Sequence, residues 1–190
     1  MRLLATFLVL AGLAFAQEQS DKTQMAMRPG TLDPNEQRIV KEVRHELVML
    51  PYYSLFDDLE YSVNGDAVTL LGSVVNPTLK KDAENAVKHI EGVNTVNNQI
   101  KVLPPSPMDD RIRQQVARAI SNQGGLYRYF MGAVPSIHII VDNGHVTLTG
   151  AVNSEAEKQI AGMRASGAGL GFGPVINNLS VDQPAKSKKG

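Results

Sequence analysis

The chain has 190 residues, and its 19 Lys plus Arg balance 19 Asp plus Glu, so the formal net charge is zero. That balance supplies no global basic field for nucleic acid. The absence of cysteine excludes disulfide staples and thiolate metal sites, and a hydrophobic content of 43% fits ordinary globular domains.

Arg2, the apolar run Leu3 to Phe15 and the small residues of Ala14-Phe15-Ala16 read as a secretory signal peptide over residues 1–16, with cleavage expected after Ala16. The run is shorter than the roughly 20 apolar residues of a bilayer-spanning helix. Residues 17–32 are polar and aperiodic and are expected to be a disordered lead-in. Asp33-Pro34 then supplies a capping side chain and a first-turn proline. Ile39, Val43, Leu47 and Leu50 recur at helical spacing until Pro51. Leu59, Tyr61 and Val63 alternate with polar residues as in a half-buried strand. Gly65-Asp66 can turn the chain, and Val68 and Leu70 continue the apolar face. Asn76-Pro77 opens a second helix with the stripe Leu79, Ala83, Ala86, Val87 and Ile90. Gly92 closes it, and Val96, Asn98, Ile100 and Val102 lie along a last strand.

Residues 104–108, rich in proline, read as a semi-rigid linker, after which the order returns. Asp109 and Asp110 suit a helix N-terminus, and Ile112, Val116, Ala119 and Ile120 form its stripe. Ile137, Ile139 and Val141 make a strand, Asn143-Gly144 is a hairpin turn, and Val146 and Leu148 return. Ser154 and Glu157 fit a capping box. Val175, Asn177, Leu179 and Val181 match Val96, Asn98, Ile100 and Val102. The hairpins repeat almost verbatim, as VTLLGSV at 68–74 and VTLTGAV at 146–152. Internal repetition of this kind predicts two copies of one small unit. The second copy has a longer segment from Ser121 to Ser136. Its second helix runs into Gly162, Gly167, Gly169, Gly171 and Gly173 and is expected to fray early. Residues 183–190, with Lys186, Lys188 and Lys189, read as a basic disordered tail.

The V-T-L-x-G-x-V hairpin, Gly92-Val93 and a closing N-x-I-x-V strand resemble the BON domain, found in the osmotically inducible periplasmic protein Y family. The resemblance covers two domains, residues 33–103 and 109–182; Phe172 after Gly171 departs from the usual Gly-Val. It implies an α+β fold of two small α/β sandwiches, each ordered helix-strand-strand-helix-strand with a three-stranded mixed sheet. It further implies a periplasmic, non-enzymatic role in envelope stress, with association to anionic phospholipid, and it marks Gly72, Gly92, Gly150 and Gly171 as structural glycines. Gly72 and Gly150 are expected where a helix crosses close to the sheet.

No nucleophile, base and orienting acid stand at recognisable spacing, and no cofactor is expected. His138 and His145, opposite Thr149 and Asp142 in the hairpin, are too far apart to share a metal and read as surface strand residues. Asp57-Asp58 and Asp109-Asp110 read as caps at element borders. The loops holding Tyr52, Tyr53 and Phe56 and holding Tyr127, Arg128, Tyr129 and Phe130 occupy equivalent places. Aromatics beside an arginine suit a lipid headgroup boundary. Tyr127, Arg128, Tyr129 and Phe130 are therefore the candidate lipid-binding residues, against the alternative that each loop caps its own small core. A protein-interaction module, docking an envelope complex or another copy of the chain, is the second reading.

Overall fold

A computed structural model describes residues 33–132, 134–168 and 173–182. The expected signal peptide, lead-in and basic tail, with Gly171 and Phe172, lie outside them. In the first repeat, α1 spans Pro34–Val48, β1 Asp58–Asn64, β2 Ala67–Val74 and α2 Pro77–Lys88, followed by β3 Thr95–Asn98 and β4 Lys101–Val102. In the second, α3 spans Pro107–Ser121, β5 Ile137–Asp142, β6 His145–Val152 and α4 Glu155–Gly167, followed by β7 Ile176–Asn177 and β8 Ser180–Val181. Each hairpin is antiparallel, and the strand after the second helix returns parallel to the hairpin's second strand. The fold is the expected α+β pair of mixed sheets.

The starts of the helices come from short-range chemistry. Asp33 and Asn76 cap α1 and α2, each with proline in the first turn. The first helix of the second repeat starts earlier than its acidic pair suggests, because Ser106 caps it and Pro107 takes the first turn. Two residues read as linker thus belong to the helix start, and Leu103 is buried. Ile39, Val43 and Leu47 of α1 pack with Leu79, Ala83 and Val87 of α2 and with Val68, Leu70 and Val74 of β2. Ile112, Val116 and Ile120 of α3 meet Ile137, Ile139, Leu148 and Val152 in the same way.

Each sheet has four strands rather than three, because the closing strand is broken at an asparagine. The Asn98 side chain accepts from the Ile100 N–H (3.2 Å) and donates to the Lys80 carbonyl of α2 (2.8 Å). Asn177 repeats both contacts, with Leu179 N–H (3.4 Å) and the Lys158 carbonyl (2.7 Å). This local turn ties the strand to the second helix without shifting its register, since Gln99 N–H and Asn178 N–H still bond the Leu70 and Leu148 carbonyls. The same approach explains why α4 does not fray early: it continues through Gly162 to Gly167. At Gly162 an added Cβ would stand 2.7 Å from Asn177 Nδ2, so the glycine admits the strand that holds the helix.

Gly72 and Gly150 do not serve a helix crossing. They lie inside β2 and β6 at φ +99° and +103°, and an added Cβ would overlap the backbone carbonyl of Asp58 or Ser136 on the neighbouring strand segment. Backbone against backbone cannot relax as a side chain can. Replacing Gly150 with alanine is expected to cost upwards of about 3 kcal/mol in urea unfolding. Gly65→Ala, in open space at φ +61°, is expected to cost only about 1–2 kcal/mol.

Candidate functional site

The two aromatic loops have different fates. In the first, the buried Asp57 carboxylate accepts from Ser54 N–H (3.1 Å), Ser54 Oγ (2.6 Å) and Val75 N–H (2.8 Å). These bonds set the turn that carries Leu55 and Phe56 out of their own repeat. Both side chains pack on the core of the second repeat, and the Leu55 carbonyl accepts Ile139 N–H at 2.7 Å. This loop therefore closes the neighbouring core. Tyr53 stacks on His138, with ring centroids 5.3 Å apart and planes 16° from parallel. Tyr52 projects to solvent, 77% exposed, from a left-handed backbone at φ +69°.

Covering by the first repeat corrects the reading of His138 as a surface residue. The expected pairings, His138 with Thr149 and Asp142 with His145, are observed. Yet His138 is only 6% exposed and Ile140, on the same face, 8%. Strand β5 is buried on both faces, whereas β1 alternates. The run Ile137-His138-Ile139-Ile140-Val141 carried that signal, since a strand covered on both sides need not alternate. An ion pair between Lys101 and Asp142 also joins the repeats.

The second loop is held from within. Leu126 and Tyr129 are buried, Phe130 packs at the core edge, and residues Tyr127–Phe130 form a single 3-10 turn. The Tyr129 hydroxyl donates to Glu157 (2.9 Å) and accepts from Asn153 N–H (2.9 Å). Glu157 also receives the Ser154 hydroxyl at 3.0 Å, while its own N–H caps onto Ser154. Arg128 lies 4.9 Å over the Tyr129 ring and pairs with Glu157. Of the four candidate residues, Tyr129 and Phe130 thus point inward, and Tyr127 and Arg128 reach solvent. Met131, which closes the same loop segment but was not among the candidate residues, is 63% exposed, and Tyr127 is 55% exposed.

The acidic pairs are engaged structurally. Asp109 accepts the turn amides Asn143 N–H (3.1 Å) and Gly144 N–H (2.8 Å), the role Glu36 plays for Gly65 N–H in the first repeat. Asp110 meets the buried Arg113, whose other arm donates to the Val141 carbonyl. Gly92, at φ +87°, stands against the Arg38 guanidinium. Among the described residues, no group of three His, Asp or Glu side chains could hold a metal ion, and no helix is long and apolar enough to cross a membrane.

Burial is the main perturbation at the junction. It holds the His138 imidazole below its ordinary pKa of 6.5, opposed by the carbonyls of Ser54, Asp57 and Pro135 and the Asp57 charge. Burial also raises the Asp58 and Glu60 carboxyls and the Tyr53 phenol from their ordinary values. As pH falls below 6.5 the unfolded chain takes up the His138 proton first, so stability present above that pH is lost toward the folded pKa. The raised carboxylates act in the opposite sense at lower pH, since the folded state then binds their protons first. Stability against thermal unfolding is expected to weaken from pH 7.5 toward 5.5. In His138→Phe, which keeps a ring against Tyr53 and cannot titrate, that decline is expected to be much shallower.

A family model of the BON domain matches residues 35–104 and 108–183, well over half of the chain. No curated protein matches significantly. Two solved chains of CdsD, a structural protein of the type III secretion system of Chlamydia trachomatis, are similar in part. One, its C-terminal domain, is 13% identical with a TM-score of 0.30 and covers 80% of this chain and 100% of its own. The other is 12% identical with a TM-score of 0.30, covering 78% and 94%. BON domains occur in envelope proteins, bind phospholipids and are generally binding modules rather than catalysts. With both repeats matched and the glycine-bearing hairpin present in each, the chain belongs to the BON-domain family as a tandem two-domain member.

Proposed function

We propose that this protein is a non-enzymatic envelope-stress protein of the periplasm that binds anionic phospholipid surfaces through its second BON domain. The observation that carries this reading is the internally braced 3-10 turn. Leu126 and Tyr129 are buried while Tyr127 and Met131 stand exposed on either side of Arg128. A fixed turn loses little conformational freedom on docking. Tyrosine and methionine suit the headgroup boundary, and the outward guanidinium can exchange its Glu157 partner for a lipid phosphate. Export rests on the apolar run Leu3 to Phe15 and the small residues before cleavage expected after Ala16. Tyr129 and Phe130 support the turn from inside.

Co-flotation of the full chain with vesicles tests this. Binding to anionic vesicles that weakens with salt, and little binding to neutral ones, is expected. Arg128→Ala is expected to reduce it roughly fivefold, and Tyr127→Ser combined with Met131→Ser to abolish it while circular dichroism stays unchanged. Equal flotation of the folded double variant would remove the turn from the contact. The second reading, a protein-interaction module, is favoured by a separate groove in the first repeat.

A further inference from the structure

The two repeats finish the same place differently. In the second, Leu55 and Phe56 pack on the cluster holding Ile120, Ile137 and Ile139, as Ala117 does, and Ile139 N–H is donated to the Leu55 carbonyl. Ile139 stands opposite Leu148 as Tyr61 stands opposite Leu70. Ile120 ends the buried stripe of α3 as Leu47 ends that of α1. From those anchors Ile137, Ile139, Ala117, Ile120 and Ser121 correspond to Leu59, Tyr61, Arg44, Leu47 and Val48. Those last five residues, with Tyr53, line an open groove of about 310 Å³ in the first repeat.

We propose that this groove binds an extended peptide of another protein: an apolar-aromatic pair like Leu55-Phe56, then a carboxylate, added along the free edge of β1. The shared register directs the Tyr61 N–H to that edge, as it directs Ile139 N–H to Leu55. Strand addition of this kind takes affinity from the main chain and selectivity from side-chain pockets. Here Leu47 and Leu59 supply the apolar lining, and Tyr61 is fixed as a wall by its hydroxyl bond to the Val40 carbonyl (3.0 Å).

Charge selects the peptide residue after the aromatic one. In the second repeat Phe56 shares a crevice with Gln114 on α3. The α1 counterpart of Gln114 is Lys41, and that of Ala117 is Arg44; both cations are exposed. Two cations stand at the positions held by Gln114 and Ala117 in the occupied site, whose own lining cation, Arg113, is already paired with Asp110, so an acidic residue is favoured there. A second copy has no such segment to lend, because its own Leu55-Phe56 is engaged in its second repeat.

The test uses a fluorescent peptide with the sequence of residues 53–58, YSLFDD, titrated into the full chain, with amide shifts followed by NMR. Saturable binding is expected, with the largest shifts at Leu59, Tyr61 and Arg44 to Val48. Lys41→Glu with Arg44→Glu, checked for folding by circular dichroism, is expected to weaken it about tenfold. A peptide with serine in place of both Leu and Phe is expected not to bind, an arm that needs no folded variant. The proposal is overturned by no saturation at about 1 mM peptide or by undiminished affinity of the charge variant. It is equally overturned by shifts centred on Ile139, or by peptide-free dimerisation mapping to Tyr61, which would assign the groove to a second copy.

Discussion

The Asp57 carboxylate organises the junction on which both repeats depend. By collecting Ser54 N–H, Ser54 Oγ and Val75 N–H, it fixes the turn just before β1 and leaves its own charge compensated though buried. A buried carboxylate without such donors would be strongly destabilising, and one with three is a rigid anchor. From this anchor Leu55 and Phe56 leave their own repeat and complete the next one. The free edge of β5 is thereby covered, Tyr53 comes to rest on His138, and β5 becomes the strand buried on both faces.

Domain size makes this lending useful. A unit of about 70 residues buries too little apolar surface to be comfortably stable alone. The second repeat gains Leu55 and Phe56 from outside, and its longer loop turns Leu126, Tyr129 and Phe130 inward as well. The first repeat lends Leu55 and Phe56, holds Tyr53 against its own core, and keeps a groove lined by Leu47, Tyr53, Leu59 and Tyr61. One duplicated unit therefore presents two different surfaces: a braced turn with an exposed Tyr-Arg tip, and an open strand edge flanked by cations. Duplication permits that division, since each copy keeps the shared core while its loops diverge.

The recurring asparagines and glycines are the shared framework. Asn98 and Asn177 each bond a carbonyl of the second helix and an amide two residues on, so one side chain both breaks the last strand and locks it to the helix. Gly72 and Gly150 allow the hairpin's second strand to approach the chain entering the first strand more closely than any Cβ permits. Glu36 and Asp109, near the starts of their helices, hold the hairpin turns by backbone amides. These contacts all lie within a single repeat, and for that reason they recur in both halves.

Much of this was legible in the chain itself. The caps at Asp33, Asn76 and Ser154, the apolar stripes, the alternating strands and the repeated V-T-L-x-G-x-V hairpin are short-range signals, set by dihedral preference and by periodicity against a single buried face. Together they determined the order of elements, the strand pairing of each hairpin and the family. What only the tertiary structure decided involves residues brought together across the repeats or turned by packing. The unbroken run Ile137 to Val141 hints that β5 is covered on both faces, yet what covers His138, Tyr53 with the backbone of Ser54 and Asp57, comes from the other repeat. Tyr127 and Tyr129 are chemically alike in sequence, yet one is exposed and the other bonded to Glu157 and Asn153. Which aromatic faces inward depends on partners 24 and 28 residues away in the chain, a separation no local pattern encodes.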